Sequence, residues 1–145
     1  MSPRYRLFAV LSCVTLFLDQ LTKWWARAAL TKYGHEGYSL IDDFWTMRLS
    51  FNSGSAFGLG GSLGGARIIL SVVGVAACVA IVFILKRTKD YQKWSAAALA
   101  LVFGGAVGNV TDRILFGKVT DFVVWKYRAH EWPAFNIADA ALVAG

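Results

Sequence analysis

The 145-residue sequence is poor in charged residues and has only two cysteines. Charged side chains make up 17% of the chain, compared with about 25% in soluble domains, and hydrophobic residues make up 57%. Intrinsic disorder is excluded because it requires low hydrophobicity. Cys13 and Cys78 each lie inside an apolar run, which excludes a disulfide scaffold. The length allows one domain, and the composition predicts a small integral membrane protein.

The basic residues do not form the stripe or patch that a nucleic-acid-binding protein needs. The formal net charge is +6, but the lysines and arginines lie mainly between the hydrophobic runs. We interpret them as signals of membrane topology and expect no nucleic-acid partner. His35 and His130 stand alone in loops and do not make a zinc-binding motif, so no metal or other cofactor is predicted.

Apolar runs predict three membrane-spanning helices, because about 20 residues cross a bilayer. They cover residues 7–30, 68–85 and 95–111, and the third extends to about residue 115. A fourth run begins at Ile137 and reaches Gly145, which is too short to cross. We therefore predict an all-α fold: a four-transmembrane-helix bundle with its fourth helix truncated and an outer, glycine-rich loop region. Residues 1–145 are expected to form a single integral-membrane domain with an incomplete C-terminal helix.

Residues 1–18 could instead be a cleaved signal peptide, since Arg4 and Arg6 precede an apolar stretch. No small-x-small cleavage site precedes a polar segment, and the helical pattern continues through Trp24 and Trp25 to Ala29. We expect the first helix to be retained.

The positive-inside rule predicts the orientation of the helices. Residues 86–93 contain four basic side chains, and the N-terminus carries Arg4 and Arg6, so both segments are expected in the cytoplasm. The loops over residues 31–65 and 116–133 then face outward. Three basic residues in the second of these loops oppose the rule: Lys118, Lys126 and Arg128.

Four acidic residues lie in or at the ends of the predicted spans, where ionisable groups are costly and often functional: Asp19, Asp112, Asp121 and Asp139. Asp121 follows the outward end of the third span, and Asp139 opens the fourth run on the same side. Two close carboxylates cannot both ionise cheaply and would share a proton, as in an aspartic protease. The alternative is that both are ordinary helix-end or loop carboxylates.

Polar residues near these acids are spaced to share helical faces. Asn109, Asp112 and Arg113 have i, i+3, i+4 spacing, and Asn136 lies three residues before Asp139. Asp19 and Lys23 are spaced as an i, i+4 ion pair, which could equally be a snorkelling pair at the outer boundary.

Four blocks in this order resemble the signal peptidase II (lipoprotein signal peptidase) family. They are Asp19-Gln20-x-Thr22-Lys23, Asn52-Ser53-Gly54-Ser55-Ala56-Phe57-Gly58, Gly108-Asn109-x-x-Asp112-Arg113 with Gly117-x-Val119-x-Asp121-Phe122, and Phe135-Asn136-x-Ala138-Asp139. The resemblance spreads over nearly the whole chain. Small departures from the family pattern occur at Ser55, Thr111 and Thr120.

The resemblance implies an aspartic endopeptidase of the bacterial inner membrane. It would remove the signal peptide of prolipoproteins by cutting before a diacylglyceryl-modified cysteine, with Asp121 and Asp139 as catalytic dyad. Residues implied to order the dyad and the substrate backbone are Asn109, Asp112, Arg113 and Asn136. Those implied to shape the outer pocket for the lipid-bearing end are Asp19, Lys23, Asn52 and Gly54. The family needs no metal, is inhibited by cyclic peptides, and implies membrane lipids as partners; we expect a monomer.

Two other classes of function remain as alternatives. A proton-coupled transporter or channel subunit could use Asp19, Asp112 and Asp121 as a relay, but it predicts an internal repeat, which the sequence lacks. A non-catalytic assembly subunit could be built on the small residues Ala100, Gly104 and Gly108, which share a helix face. Such a subunit would tolerate the loss of both Asp121 and Asp139.

Overall fold

The computed structural model describes residues 1–54, 63–128 and 130–145, with side chains from residue 65 onward in the second range. The helices are α1 (Pro3–Ala29), α2 (Leu63–Arg87), α3 (Lys93–Phe116) and α4 (Ile137–Ala144), and a short 3-10 helix covers Thr31–Tyr33. The strands are β1 (Tyr38–Ile41), β2 (Trp45–Asn52), β3 (Val119–Tyr127) and β4 (His130–Glu131). Residues 55–62 of the predicted glycine-rich loop region, which include the motif residues at 55–58, lie outside the described residues.

Three of the described helices are long and apolar enough to cross a membrane. They cover Pro3–Ala29, Gly65–Arg87 and Lys93–Phe116, close to the three spans predicted from hydropathy. Helix α4 has eight residues, or about 12 Å at 1.5 Å per residue, which is well short of a bilayer. The predicted count of four transmembrane helices is therefore not confirmed.

The prediction of an all-α fold is wrong, because segments of the loops over residues 31–65 and 116–133 pair into a four-stranded sheet in the order β1-β2-β3-β4. Strands β2 and β3 are antiparallel, and Ser50 lies opposite Asp121. Both strands are rich in aromatic and β-branched residues, which favour the pleated conformation. Hydropathy could not reveal the sheet, since β2 and β3 pair across the intervening α2 and α3 helices.

Helix α3 lies at the centre of the helices and packs against α1, α2 and α4. Its small residues allow this close approach, as their spacing predicts. A Cβ added at Gly104 would lie 2.8 Å from Thr15 Cβ, and one added at Gly108 would lie 2.4 Å from Asp19 Oδ2. Towards α4, a Cβ at Gly105 would lie 2.5 Å from the Ala138 carbonyl oxygen. Larger side chains would push α1 and α4 away from the centre.

The polar segments separate into two ends of the helix bundle. At one end Arg4 joins the turn between α2 and α3, where its guanidinium bonds the Thr88 carbonyl and lies 3.5 Å from Asp90. At the other end lie the sheet and the start of α4, joined through the paired residues Val123 and Phe135. The sheet packs on the end of α1 through an apolar cluster that contains Ala26, Leu30, Phe122 and Val123.

Candidate active site

Asp121 and Asp139 lie on different elements at the sheet end of the molecule. Asp121 is in the buried first half of β3 and is 2% exposed, whereas Asp139 is half-buried in the first turn of α4. Asn136 caps this helix: its side-chain oxygen accepts from the Asp139 backbone N–H at 2.9 Å. In return, the Asn136 backbone N–H donates to Asp139 Oδ2 at 3.2 Å. This capping box fixes the orientation of the Asp139 carboxyl group.

Asn136 contacts both carboxyl groups at once. Its Nδ2 donates to Asp121 Oδ1 at 2.7 Å, while its main chain holds Asp139. The two carboxyl groups therefore share Asn136 as a hydrogen-bond partner and lie close enough to interact electrostatically. The sequence predicts that the two acids lie at the same depth, but equal depth alone does not bring two side chains together.

Asn109 holds the second oxygen of Asp139. Its Nδ2 donates to Asp139 Oδ1 at 2.8 Å, and its Oδ1 accepts from Lys23 Nζ at 3.0 Å. Since an ammonium group has donors only, Lys23 requires the amide oxygen of Asn109 to face it. The amide nitrogen must then face Asp139. Lys23 therefore determines that Asn109 presents a hydrogen-bond donor to Asp139.

Behind Asn109 lies a buried charge cluster of two acids and two bases, formed by Asp19, Lys23, Arg27 and Asp112. Lys23 Nζ is 2.9 Å from Asp19 Oδ2 and 3.7 Å from Asp112 Oδ2, and Arg27 Nη1 is 3.6 Å from the same Asp112 atom. The side chains of Asp19, Lys23 and Asp112 are all 0% exposed. Asp19 also accepts the Ala138 N–H at 2.9 Å, which anchors the start of α4.

This burial bears on the roles that the resemblance implies. Asp19 and Lys23 lie inside the bundle, between α1, α3 and α4, and present no surface to an outer pocket. Asn52 and Gly54 lie closer to the dyad: the Asn52 side chain hydrogen-bonds Asp121 and accepts the Gly54 N–H at 2.8 Å. Gly54 has φ +83, and a Cβ there would lie 2.4 Å from Leu70 Cδ1, so this turn requires glycine.

Arg113 lies beside both acids without pairing to either as a salt bridge. Its guanidinium interacts electrostatically with Asp139, Asp121 and Asp112, and Nη1 donates to the Asn109 carbonyl oxygen at 3.4 Å. Its Nε is buried without a hydrogen-bond partner. A cation with an unused donor beside two carboxyl groups can bind a further oxygen atom in the site.

The environment of Asp121 favours its protonated form. Burial and the neighbouring negative charge of Asp139 raise its pKa from 3.8 to about 7. The hydrogen bonds from Asn136 and Asn52 and the charge of Lys23 oppose this rise. Near neutral pH the pair can therefore contain one protonated and one ionised carboxyl group, which is what acid–base hydrolysis of a peptide bond needs.

An apolar cleft opens next to Asp139. It has a volume of about 370 Å³ and is lined by Trp125, Trp132, Phe135, Asp139, Ala140, Val143 and Ala144. A chain bound in this cleft would lie beside a carboxyl group of the pair, that of Asp139. Among the residues that the structure describes, no three His, Cys, Asp or Glu side chains are grouped as metal ligands.

Three polar residues that contact this site were given no role from the sequence: Gln20, Arg27 and Thr120. Gln20 Nε2 donates to Asp19 Oδ2, to the Gly108 carbonyl and to Asp112 Oδ1 at 3.0 to 3.3 Å. Arg27 Nη1 donates to Thr120 Oγ1 at 2.7 Å. Arg27 continues the i, i+4 spacing of Asp19 and Lys23, and this signal could have revealed it.

The long apolar helices are those of a polytopic membrane protein, and two acids bridged by an asparagine are an arrangement that an aspartic peptidase can use. Comparison with known proteins specifies the family. A family profile described as signal peptidase (SPase) II matches residues 11–145. The chain belongs to the signal peptidase II family.

Individual relatives agree with this membership. A lipoprotein signal peptidase of Xanthomonas axonopodis pv. citri is 38% identical over 145 residues, covering 99% of this chain and 83% of the relative. The lipoprotein signal peptidase of Geobacter metallireducens is 34% identical, and the match covers 100% of this chain and 88% of the relative.

Solved structures also match. A bacterial membrane enzyme determined by the in meso method at 1.9 Å resolution superposes with a TM-score of 0.82 at 26% identity, covering 94% of this chain and 85% of that one. A second such structure, determined at 2.3 Å resolution, superposes with a TM-score of 0.79 at 27% identity. The match covers 94% of this chain and 80% of that one.

Family membership gives the activity: an aspartic endopeptidase that removes signal peptides from prolipoproteins. The predicted family is confirmed, and the transporter and assembly-subunit alternatives are not supported. The apolar helices and the matching structures agree with a bacterial membrane protein.

Proposed function

We propose that Asp121 and Asp139 are the catalytic dyad of this signal peptidase II. The observation that carries this assignment is the bridge through Asn136, which hydrogen-bonds both carboxyl groups. The raised pKa of Asp121, about 7, gives the pair one proton near neutrality. Residues 1–145 act as a single integral-membrane peptidase domain in this proposal.

The mechanism uses Asp139 as base and Asp121 as acid. The Asp139 carboxylate removes a proton from water, and the water oxygen bonds to the carbonyl carbon of the scissile peptide. Asp121 gives its proton to the carbonyl oxygen, which forms a neutral tetrahedral intermediate. The C–N bond then breaks while the leaving nitrogen takes the proton held by Asp139, and the acid proton returns to Asp121 as the carbonyl re-forms.

The surrounding residues orient this pair. Asn136, Asn109 and Asn52 hydrogen-bond the two carboxyl groups, and Gly54 shapes the turn that holds Asn52. Arg113 has a free buried donor with which to bind the substrate backbone. The buried residues Asp19, Lys23 and Asp112 act through Asn109, Ala138 and Thr120, which they bond directly.

The proposed orientation puts the N-terminus in the cytoplasm and the dyad at the outer face of the inner membrane. Its support is the separation of the two ends of the bundle: Arg4 and the basic α2–α3 turn at one, and the acidic pair with the sheet at the other. A signal peptide whose apolar core lies in the bilayer then reaches water at the depth of Asp121 and Asp139.

The proposed substrate carries a diacylglyceryl group on the cysteine after the cut. The apolar cleft beside Asp139 supports binding of an apolar chain, and acyl chains that remain in the bilayer contribute about 0.8 kcal/mol per buried CH₂. Cyclic peptides that fill the cleft and bond the dyad are expected to inhibit. Membrane lipids are the other proposed partners, and the proposed active form is a monomer.

The lipid requirement is tested with two precursors that differ only in lipid. Purified enzyme in lipid is incubated with a diacylglyceryl precursor or with the same precursor lacking the diacylglyceryl group, and product is followed by mass spectrometry. We expect cleavage of the lipidated precursor before its cysteine and at least a hundredfold slower cleavage of the other, since burial of several CH₂ groups is lost. Equal rates would contradict this substrate class.

We expect the enzyme to lose activity as the pH rises, because the proposed acid Asp121 then loses its proton. Because the folded-state pKa of Asp121 is raised above its ordinary value, the protonated form dominates below about pH 7 and disappears above it. We expect kcat to fall about tenfold per pH unit well above 7, with the enzyme recovering on return to pH 6.5. A rate that stays constant from pH 6 to 9 would contradict protonated Asp121 as the acid.

A further inference from the structure

A polar contact lies behind the dyad, between two side chains that no step above uses. Arg27 Nη1 donates to Thr120 Oγ1 at 2.7 Å, although the residues are 93 positions apart. Thr120 is 1% exposed, and the Arg27 side chain is 24% exposed. Thr120 immediately precedes Asp121 on β3, so this contact acts on the backbone that carries Asp121.

Thr120 is held through its backbone as well as its side chain. Its N–H donates to Asp112 Oδ2 at 2.9 Å, and its carbonyl oxygen lies 3.3 Å from Asn136 Nδ2. The same Asn136 nitrogen bonds Asp121 Oδ1 at 2.7 Å. A displacement of Thr120 would therefore change both the place of Asp121 and the hydrogen bond that orients it.

Arg27 is fixed by two further contacts. Its Nη1 is 3.6 Å from Asp112 Oδ2, and its guanidinium carbon is 4.3 Å from the centroid of the Phe116 ring. A planar guanidinium can hold several partners in a fixed geometry, which a flexible ammonium cannot. One side chain of α1 thus joins the last turn of α3 to the start of β3.

We propose that Arg27 and Thr120 form a positioning pair that holds Asp121 in place for catalysis. This inference rests on the proposed catalytic role of Asp121. Neither side chain lies in the apolar cleft, so the pair acts on the turnover step and not on substrate affinity. The Thr120 hydroxyl oxygen is the essential atom, because a valine side chain would fill nearly the same volume without accepting a hydrogen bond from Arg27.

The test compares substitutions that preserve or remove this hydroxyl. Thr120→Val and Arg27→Met are each expected to lower kcat about tenfold with KM unchanged, the effect of losing one hydrogen bond from a charged donor. Thr120→Ser should retain at least half of the wild-type kcat. The double variant should be no slower than the slower single variant, because both changes remove the same contact.

Two matched controls accompany these variants. Thr111→Val removes a hydroxyl that bonds the Val107 carbonyl within α3, away from the dyad. Arg87→Met removes an exposed arginine at the end of α2. Both are expected to keep the wild-type kcat, and kinetics are measured per folded enzyme with the lipidated precursor.

Three results would overturn the positioning pair. The first is a kcat for Thr120→Val equal to that of Thr111→Val. The second is a kcat for Thr120→Ser as low as that of Thr120→Val. The third is a double variant whose loss of kcat is the product of the losses in the two single variants. Asp121→Asn is assayed in the same series to separate the two proposals. If it remains active, the catalytic assignment fails; if it is inactive while Thr120→Val is normal, only the positioning pair fails.

Discussion

Replacing Asp121 or Asp139 with asparagine is expected to lower the rate of precursor cleavage at least about a thousandfold, since each substitution removes a proton-transfer group. Asparagine has the shape of aspartate but neither donates nor accepts the reacting proton. The Asp121→Asn protein should stay folded, because a neutral side chain suits this buried position better than a carboxylate. The measurement is a time course of cleavage of a diacylglyceryl precursor by purified enzyme.

Asp43→Asn provides the matched control. Asp43 is exposed in the turn between β1 and β2 with φ +59, a conformation that asparagine adopts readily. This variant should cleave at the wild-type rate and be present in the membrane in the same amount. If either dyad variant cleaves within tenfold of this control, the two carboxyl groups do not perform the acid–base chemistry.

Replacing Lys23 with methionine should lower the free energy of unfolding by about 3–5 kcal/mol, the range for breaking a buried ion pair from one side. Methionine matches the length of lysine but leaves Asp19 buried without its cation. It also removes the donor that holds the Asn109 oxygen at 3.0 Å. The measurement is denaturant unfolding of the purified protein in detergent, followed by tryptophan fluorescence.

Two further variants show whether the charge of Lys23 is the cause. Lys93→Met removes an exposed lysine at the start of α3 and should change stability by less than about 0.5 kcal/mol, as surface changes do. Adding Asp19→Asn to Lys23→Met should restore much of the loss, because no buried charge is then left alone. A Lys23→Met protein as stable as Lys93→Met would mean that the pair contributes nothing to folding.

The consequences of losing Lys23 extend from stability to the site. Its contacts run through Asn109 to Asp139, and its partner Asp19 anchors the first turn of α4 through Ala138. The buried charges therefore support the element on which Asp139 lies. Any activity lost by Lys23→Met has to be compared with its loss of folded protein before a catalytic effect is inferred.

The sheet shows why part of the fold escaped prediction. The β2 and β3 sequences carry strand-forming residues, but they lie in segments that a hydropathy profile treats only as loops between spans. Their pairing joins Trp45 to Trp125, residues separated by two membrane-capable helices. Nothing local to either strand specifies a partner so far along the chain.

The local contacts of the candidate site residues could be anticipated from the sequence better than the sheet, because these residues belong to short motifs with local geometry. The spacing of Asn136 and Asp139 is that of a helix cap and its third residue, and the structure contains this capping box. Arg27 and Thr120 were given no role from the sequence because their contact joins α1 to β3. A single arginine near a helix end is ordinarily an interfacial residue, and the i, i+4 spacing from Lys23 is the sequence signal that pointed to another role.

The sequence by itself determined the long apolar helices, the family and the acids to examine. The helices follow from the free energy of transferring successive side chains into a bilayer, and the family and the acids follow from the order of the residues. Both properties are local to the chain. Only the tertiary structure decided that segments of two loops between the helices form a sheet, that Asn136 bridges Asp121 and Asp139, and that Lys23 is wholly buried. Those outcomes depend on packing and on the electrostatics of groups brought together from distant segments, and neither is fixed until the helices meet.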